Sequence, residues 1–324
     1  YMRKIVIDSY GADKGDEIIV RGAFEALKSY DEFGAVIAGN RRIFEKCLAE
    51  SGIEHSRVEL METDDAIKNN DPPICIFNDR NNSSMALSLD RLKKDDDCFA
   101  CLSPGNTGAL FVGSICRLGM VDGLKSPVLS SARPTPSGGW VCLLDCGARM
   151  SCKALDFVKF GELGSEFARL AFGVKTPRIG LLSVGREKEK GNDLTKEAYD
   201  LLAKSDLNFA GNIEGYDLLT DYVDVVVADG FSGNLLLKNV EATGKAAMQI
   251  VSDLRSELGE ENNPIFDKIQ NALSMKFDLN MRGGATFLGT VKPIIKMHGC
   301  STEETVKACI DQLIRVERAS DKNK

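Results

Sequence analysis

Histidine is nearly absent from this chain. His55 and His298 are the only two in 324 residues, and there is one tryptophan, Trp140. Two isolated histidines exclude an HExxH zinc helix and a histidine-based triad with local support. A G-x-S-x-G nucleophile elbow is missing as well. So are the strict GxGxxG fingerprint and the GxxxxGK[ST] phosphate loop, which speaks against a nucleotide cofactor. Long apolar runs are lacking: the first, Ile5-Val6-Ile7, is far too short for a membrane span or leader. A soluble, cytoplasmic protein is expected. A formal charge of -7 speaks against a general nucleic-acid surface.

Cysteine is not scarce, but its pattern excludes two roles. The ten cysteines sit mainly in apolar runs. Cys98-x-x-Cys101 falls in a β-rich stretch, where alternating faces make a poor metal clip. A reducing compartment, with thiols as small core residues, accounts for them. No metal and no cofactor are expected.

What is abundant is glycine, 30 residues against 9 prolines, placed where apolar runs end. Lys4 to Asp8 reads as a strand, followed by a polar loop through Asp16 and a helix over Ile18–Leu27. Ala35–Ala38, Arg57–Met61, Ile74–Phe77 and Asp97–Leu102 read as further strands. Helices are expected at Met85–Leu92 and Gly108–Leu118. Val128–Ser131 and Trp140–Leu144 follow as strands, then a helix over Ala154–Phe172. The strand Arg178–Ser183 leads into a charged loop, Gly185–Asp193, and a helix over Thr195–Ala203. Strands at Phe209–Asn212 and Val223–Ala228 precede a long helix starting after Asn234, and Glu303–Arg318 is a last amphipathic helix. Strands alternating with helices at this spacing predict a mostly parallel sheet covered on both faces. Residues 1–324 are enough for one large α/β unit.

Residues 248–282 differ from the rest. Leu254, Leu258, Ile265, Phe266, Ile269, Leu273 and Phe277 recur at helical spacing, broken by Gly259 and Asn262-Asn263-Pro264. This predicts a helical pair with an apolar stripe, suited to core, to a second subunit or to a membrane surface.

Four glycine-rich strand exits compete as a ligand cradle: Gly11 to Gly15, Gly105-Asn106-Thr107-Gly108, Asp145-Cys146-Gly147-Ala148, and Asp229 to Asn234. A strand entering a helix through glycine aims backbone N–H groups at one spot, which suits an anion. In a parallel sheet such exits share one edge. A plain tight turn is the alternative reading of each. In the charged loop, Lys190, fixed between Glu189 and Gly191, is the preferred cation for a phosphate or an acyl-oxygen anion. A merely solvated face is the alternative there. His298 sits in a turn before the last helix, in a structural or a site role.

Taken in order, these motifs carry a resemblance: the turn at 105–108, DxGA at 145–148, KGN at 190–192, GNIEG at 211–215, DGFxGN at 229–234, GGA at 283–285 and HGxS at 298–301. Together the chain resembles the bacterial acyl-acyl-carrier-protein:phosphate acyltransferase (PlsX) family of phospholipid synthesis. The resemblance implies transfer of a fatty acyl group from acyl carrier protein to inorganic phosphate. It implies a three-layer αβα fold like that of isocitrate and isopropylmalate dehydrogenases. It also implies a homodimer built partly through a protruding helical pair, matching 248–282, with weak peripheral membrane contact as a further expectation.

Phosphate is then the nucleophile, so the protein needs an anion cradle and a carbonyl polariser rather than a covalent Ser or Cys. On this reading Lys190, Asp229, Asn234 and Lys14 are the catalytic candidates, with Asp229 orienting a donor or Lys190. Gly105, Asn106, Thr107, Gly108, Asn192 and Gly233 hold phosphate. Asp8, Gly11, Asp13, Asp145, Gly147, Asn212 and His298 belong to the substrate loops. Two departures stand out. The family's first loop reads MGGDHAP, and here Lys14 takes the histidine position. Its charged loop reads GEEExKGN, and here Arg186 and Lys188 replace acids. Competing functions are a short-chain phosphate acyltransferase using acyl-CoA, a dehydrogenase on the same fold, and a non-catalytic paralogue that binds acyl phosphate or the carrier protein.

Overall fold

The computed structural model describes residues 2–258, 263–277 and 283–322. In chain order the elements begin β1 (Arg3–Asp8), α1 (Asp16–Leu27), β2 (Phe33–Gly39), α2 (Arg41–Ser51), β3 (Val58–Glu62), α3 (Ser84–Lys94), β4 (Cys98–Ser103) and α4 (Thr107–Gly113). They continue β5 (Val128–Pro134), β6 (Trp140–Leu144), α5 (Ala154–Phe172), β7 (Ile179–Leu182), α6 (Asp193–Ala203), β8 (Phe209–Ile213) and β9 (Val225–Val227). The last are α7 (Gly230–Leu258), α8 (Asn263–Phe277), β10 (Ala285–Leu288), β11 (Ile294–Lys296) and α9 (Glu303–Asp321). The chain divides into two compact units, one of Tyr1–Pro127 with Gly283–Lys324 and one of Val128–Arg282.

In the first unit the strand order is β3-β2-β1-β4-β11-β10. The strands are parallel from β3 to β11, and β10 returns antiparallel to β11. Burial on both faces explains why these runs are apolar throughout. Ile5 and Ile7 of β1, Ala35 and Ile37 of β2, and Ala100 and Leu102 of β4 pack with Ile19, Ala23 and Phe24 of α1 and Ile310 and Leu313 of α9. The alternate residues Val6, Val36 and Cys101 are equally buried, and α3 packs on β1, β2 and β4. Helices therefore cover both faces, giving three layers. Each such Ile or Leu contributes about 1.5–3 kcal/mol of transfer free energy.

Two local expectations change here. Ile74–Phe77 is a 3₁₀ turn, Pro73–Phe77, rather than a strand. Pro72 and Pro73 start it, and a proline cannot donate to a strand ladder. The helix expected over Gly108–Leu118 starts at Thr107, ends as an α-helix at Gly113 and widens into a π turn over Ser114–Leu118.

The second unit has the order β5-β6-β9-β7-β8. β5 and β6 form an antiparallel hairpin, and β6, β9, β7 and β8 are parallel. Val141, Leu143, Val226 and Ala228 pack with Leu237 and Val240 of α7. The opposite face meets α5, where a β-carbon on Gly164 would lie 2.5 Å from Val225. α7 begins at Gly230 and not after Asn234, so Gly230 to Asn234 is the first turn of a helix, with Asp229 just before it, and not a loop. α8 folds back on α7 so closely that a β-carbon on Gly244 would come within 2.4 Å of Phe277. Ile250, Leu254, Ile265, Ile269 and Met275 of this pair are exposed, while Phe266 is buried. Gly259, Glu260, Glu261, Asn262 and Arg282 lie outside the described residues, as does the side chain of Leu258. Among the described residues no helix is long and apolar enough to cross a membrane.

Candidate functional site

β1 and β4 are neighbours in the first unit, so their carboxyl ends bring Asp8 and Ser103 together. The buried Asp8 carboxylate accepts from Ser84 Oγ at 2.5 Å, Ser103 Oγ at 2.6 Å and the Tyr10 N–H at 3.3 Å. Burial nonetheless pushes its carboxyl up to about 6. Ser103 Oγ in turn accepts the Gly105 N–H at 3.1 Å. A β-carbon on Gly11, whose φ is +111°, would lie 2.7 Å from the Gly105 Cα. Gly11 is thus required by its positive φ and by the close approach of the Gly105 backbone, while a β-carbon on Gly105 would meet the Met85 methyl at 2.6 Å. Asp13 donates its N–H to the Gly299 carbonyl at 2.7 Å, tying the first loop to the turn that holds His298. The His298 carbonyl accepts from Ser301 Oγ at 2.7 Å.

Asn106 is committed to structure. Its Oδ1 accepts the Ala109 N–H at 3.0 Å, capping α4, and its Nδ2 donates to the carbonyls of Lys68, Asn69 and Asp71. That leaves the N–H groups of Thr107 and Gly108 without an intrahelical acceptor. Thr107 and Lys14 are exposed.

In the second unit β6 and β9 are parallel neighbours, and the chain leaving each meets the other. Asp145, fully buried, folds back to accept four backbone N–H groups: Leu129, Gly147 and Ala148 on Oδ1, and Arg149 on Oδ2. The amides of this exit therefore cradle a carboxylate of the chain itself. Burial still pushes the Asp145 carboxyl upward against these donors. Asp229 accepts from Phe231 and Ser232 at 3.0 and 2.9 Å and so caps α7. Gly233 lies under the Asp145 carbonyl, where a β-carbon would approach to 1.9 Å. The Asn234 side chain lies beside Gly147, and among the described residues its amide has no hydrogen-bond partner.

The charged loop is held at several points. Asn212 Nδ2 donates to the Glu187 carbonyl at 2.8 Å, and Asn192 caps α6 through the Thr195 N–H at 2.9 Å. Arg186 reaches the buried Asp217 at 2.6 Å and lies over the Tyr222 ring; Lys188 pairs with Asp200 at 2.9 Å. Lys190 is exposed, with its stem 3.0 Å from where a Gly185 β-carbon would stand. Among the described residues its ammonium has no partner.

The strand exits at 8–11 and 105–108 thus meet within the first unit, and those at 145–148 and 229–234 meet within the second. The chain matches the family described as "Fatty acid synthesis protein" over residues 3–321. It is 36% identical over 315 residues to a phosphate acyltransferase of Thermoanaerobacterium thermosaccharolyticum, spanning 95% of this chain and 91% of that one. It is 34% identical over 320 residues to the phosphate acyltransferase of Clostridioides difficile, spanning 97% and 93%. The chain belongs to this phosphate acyltransferase family.

Solved structures agree on the fold alone. A phosphotransacetylase from Streptococcus pyogenes superposes with a TM-score of 0.64 at 16% identity, over 98% of this chain and 94% of that one. A branched-chain phosphotransacylase from Enterococcus faecalis V583 gives 0.60 at 14% identity, over 97% and 99%.

One further residue of this phosphate acyltransferase family member joins the first unit's strand exits. Lys296 ends β11, in register with Ser103 of β4. Its Nζ donates to the Pro104 carbonyl at 3.1 Å and to the Met297 carbonyl. Burial pulls its ammonium down to about 8, against the opposing fields of Asp8 and Asp13. Sequence reading missed it. A lysine closing the short apolar run Ile294-Ile295, just before HGxS, was the available signal.

Proposed function

We propose that this chain transfers a fatty acyl group from the thioester of an acyl carrier protein to inorganic phosphate. The products are acyl phosphate for phospholipid synthesis and the carrier's free thiol. A phosphate oxygen attacks the thioester carbonyl, a C–O bond forms, and the C–S bond breaks. The proton of the attacking hydrogen phosphate ends on the leaving sulfur. No covalent enzyme intermediate is required.

The observation that carries this reading is Lys190: an exposed ammonium without a partner among the described residues, on a loop whose other cations are engaged. It supplies positive charge to an anionic oxygen, and Asn234, also unpartnered, supplies a neutral donor. The buried thiols do not compete as nucleophiles, since desolvation pushes those of Cys142 and Cys309 up to about 12. The exposed apolar residues of α7 and α8 support a homodimer through this pair, with weak membrane contact as a lesser role for the same surface.

The test incubates the protein with palmitoyl-carrier protein and phosphate and follows release of the carrier thiol. Phosphate-dependent release is expected. Release that occurs only with short-chain acyl-CoA would reassign the donor, and a folded protein inactive on both would sink the enzyme reading. Sedimentation with and without Ile265→Asp tests the dimer, which the added charge should dissociate.

A further inference from the structure

Lys296 is expensive to bury. An ammonium offers three N–H donors and no acceptor, and this one donates to the Pro104 and Met297 carbonyls. Among the described residues there is no third acceptor and no carboxylate within ion-pair distance. Asp8 and Asp13 act on it only through their fields. A desolvated charge with an unfilled donor costs stability unless something else is bound there.

Its position says what that is. Lys296 grips the carbonyl of Pro104, the residue before Gly105. Gly105 is held from the other side, its N–H bonded to Ser103 Oγ, which Asp8 orients. The ammonium therefore stands at the glycine turn leaving β4. The charge of Lys296 acts on Asp8, so Lys296 supplies positive charge at this turn. We propose that Lys296 binds the phosphate substrate, its remaining N–H and its charge completing an anion site at the β4 exit. This rests on the phosphate acyltransferase reading and names a residue beyond those the motifs supply.

The groups that face Lys296 are Asp8 of β1, Asp13 of the first loop, and Cys300 in the turn after β11. His298 lies two residues away in the same turn. Asp8, raised only to about 6, is ionised above pH 7.5. Because Cys300 is a thiol whose charge would act on Lys296, the measurement uses Cys300→Ser as background.

Phosphate affinity of that protein is measured by calorimetry from pH 7.5 to 9.5, where phosphate itself is already mostly the dianion. The ammonium is charged below its value and neutral above it, so affinity should fall at least about fivefold across the range. Adding Lys296→Arg should make the profile flat, and adding Lys296→Met should weaken binding about tenfold or more at pH 7.5. A flat profile without either change overturns the proposal, even if Lys296→Met fails to fold. So does a folded Lys296→Met protein with unchanged affinity. Thiol release from the acyl carrier substrate by the unsubstituted protein reports on the parent reading separately.

Discussion

Arg186 donates to the buried carboxylate of Asp217 at 2.6 Å, and its guanidinium lies 4.6 Å from the centre of the Tyr222 ring. The contact explains a departure from the family pattern. An acid at this position would repel Asp217, whereas arginine fastens the charged loop to the turn after β8. Because Glu187 is also held, through Asn212, the backbone entering Lys190 is fixed on two sides. Arg186→Gln should cost about 1 kcal/mol of stability, small because the guanidinium is half exposed. It should lower turnover about tenfold by loosening Lys190. Lysine at 186 should not restore the rate, since it lacks the planar face and the fork. Denaturant unfolding and steady-state kinetics check both parts.

Lys190→Ala separates chemistry from folding. The side chain is exposed and makes no contact that the fold needs, so the melting temperature should hold within about 2 °C. Turnover should fall about 100-fold or more, the usual cost of removing one charged donor at a developing oxyanion. An unchanged rate would remove Lys190 from the site.

These residues show what the sequence makes legible. Strand ends followed by glycine can be read, because an apolar run, a polar stop and a flexible residue are local signals. The Asp8, Ser103 and Asp145 exits were found this way. What an asparagine does at such an exit is not local. Asn106, Asn192 and Asn234 look alike in the sequence, yet the first two cap helices through their side-chain oxygens, while among the described residues the Asn234 side chain has no hydrogen-bond partner. The start of α7 was misplaced for a related reason. Gly230 and Gly233 suggest a loop, but they are glycines so that a helix can pass under the Arg149 and Asp145 carbonyls. Lys296 closes an apolar run, which is a local signal, but its burial comes from the β4 exit and the first loop, both far away along the chain.

The glycine approaches give a graded stability test. Gly233→Ala would place a β-carbon 1.9 Å from the Asp145 carbonyl oxygen, a contact with backbone that no rotamer relieves. A loss of at least about 3 kcal/mol is expected. Gly11→Ala combines φ of +111° with a 2.7 Å approach to the Gly105 backbone, for about 2–4 kcal/mol. Gly52→Ala is the control: φ is +71° with nothing within 4 Å of the added carbon, so only about 1 kcal/mol should be lost. Urea titrations in which Gly52→Ala costs as much as either of the other two would contradict the close packing of the strand exits.

Asp8 supplies a pH test with a defined sign. Its folded carboxyl is raised to about 6 by burial, against an ordinary value near 3.8. The folded state therefore holds the proton where the unfolded chain has released it. The stability Asp8 contributes is present below the ordinary value and is lost as pH rises through the folded one. Other carboxylates titrate in the same window, so the useful quantity is the difference from Asp8→Asn, which cannot ionise. Between pH 4 and 7 the unsubstituted protein should lose stability relative to that variant by about 1–3 kcal/mol. Asp16 is also raised to about 6, first by burial and then by the charge of Asp8. Removing that charge should bring Asp16 down and widen the gap. A difference that stays constant with pH, measured by urea unfolding at each value, would place a proton-independent hydrogen-bonding role on Asp8 instead.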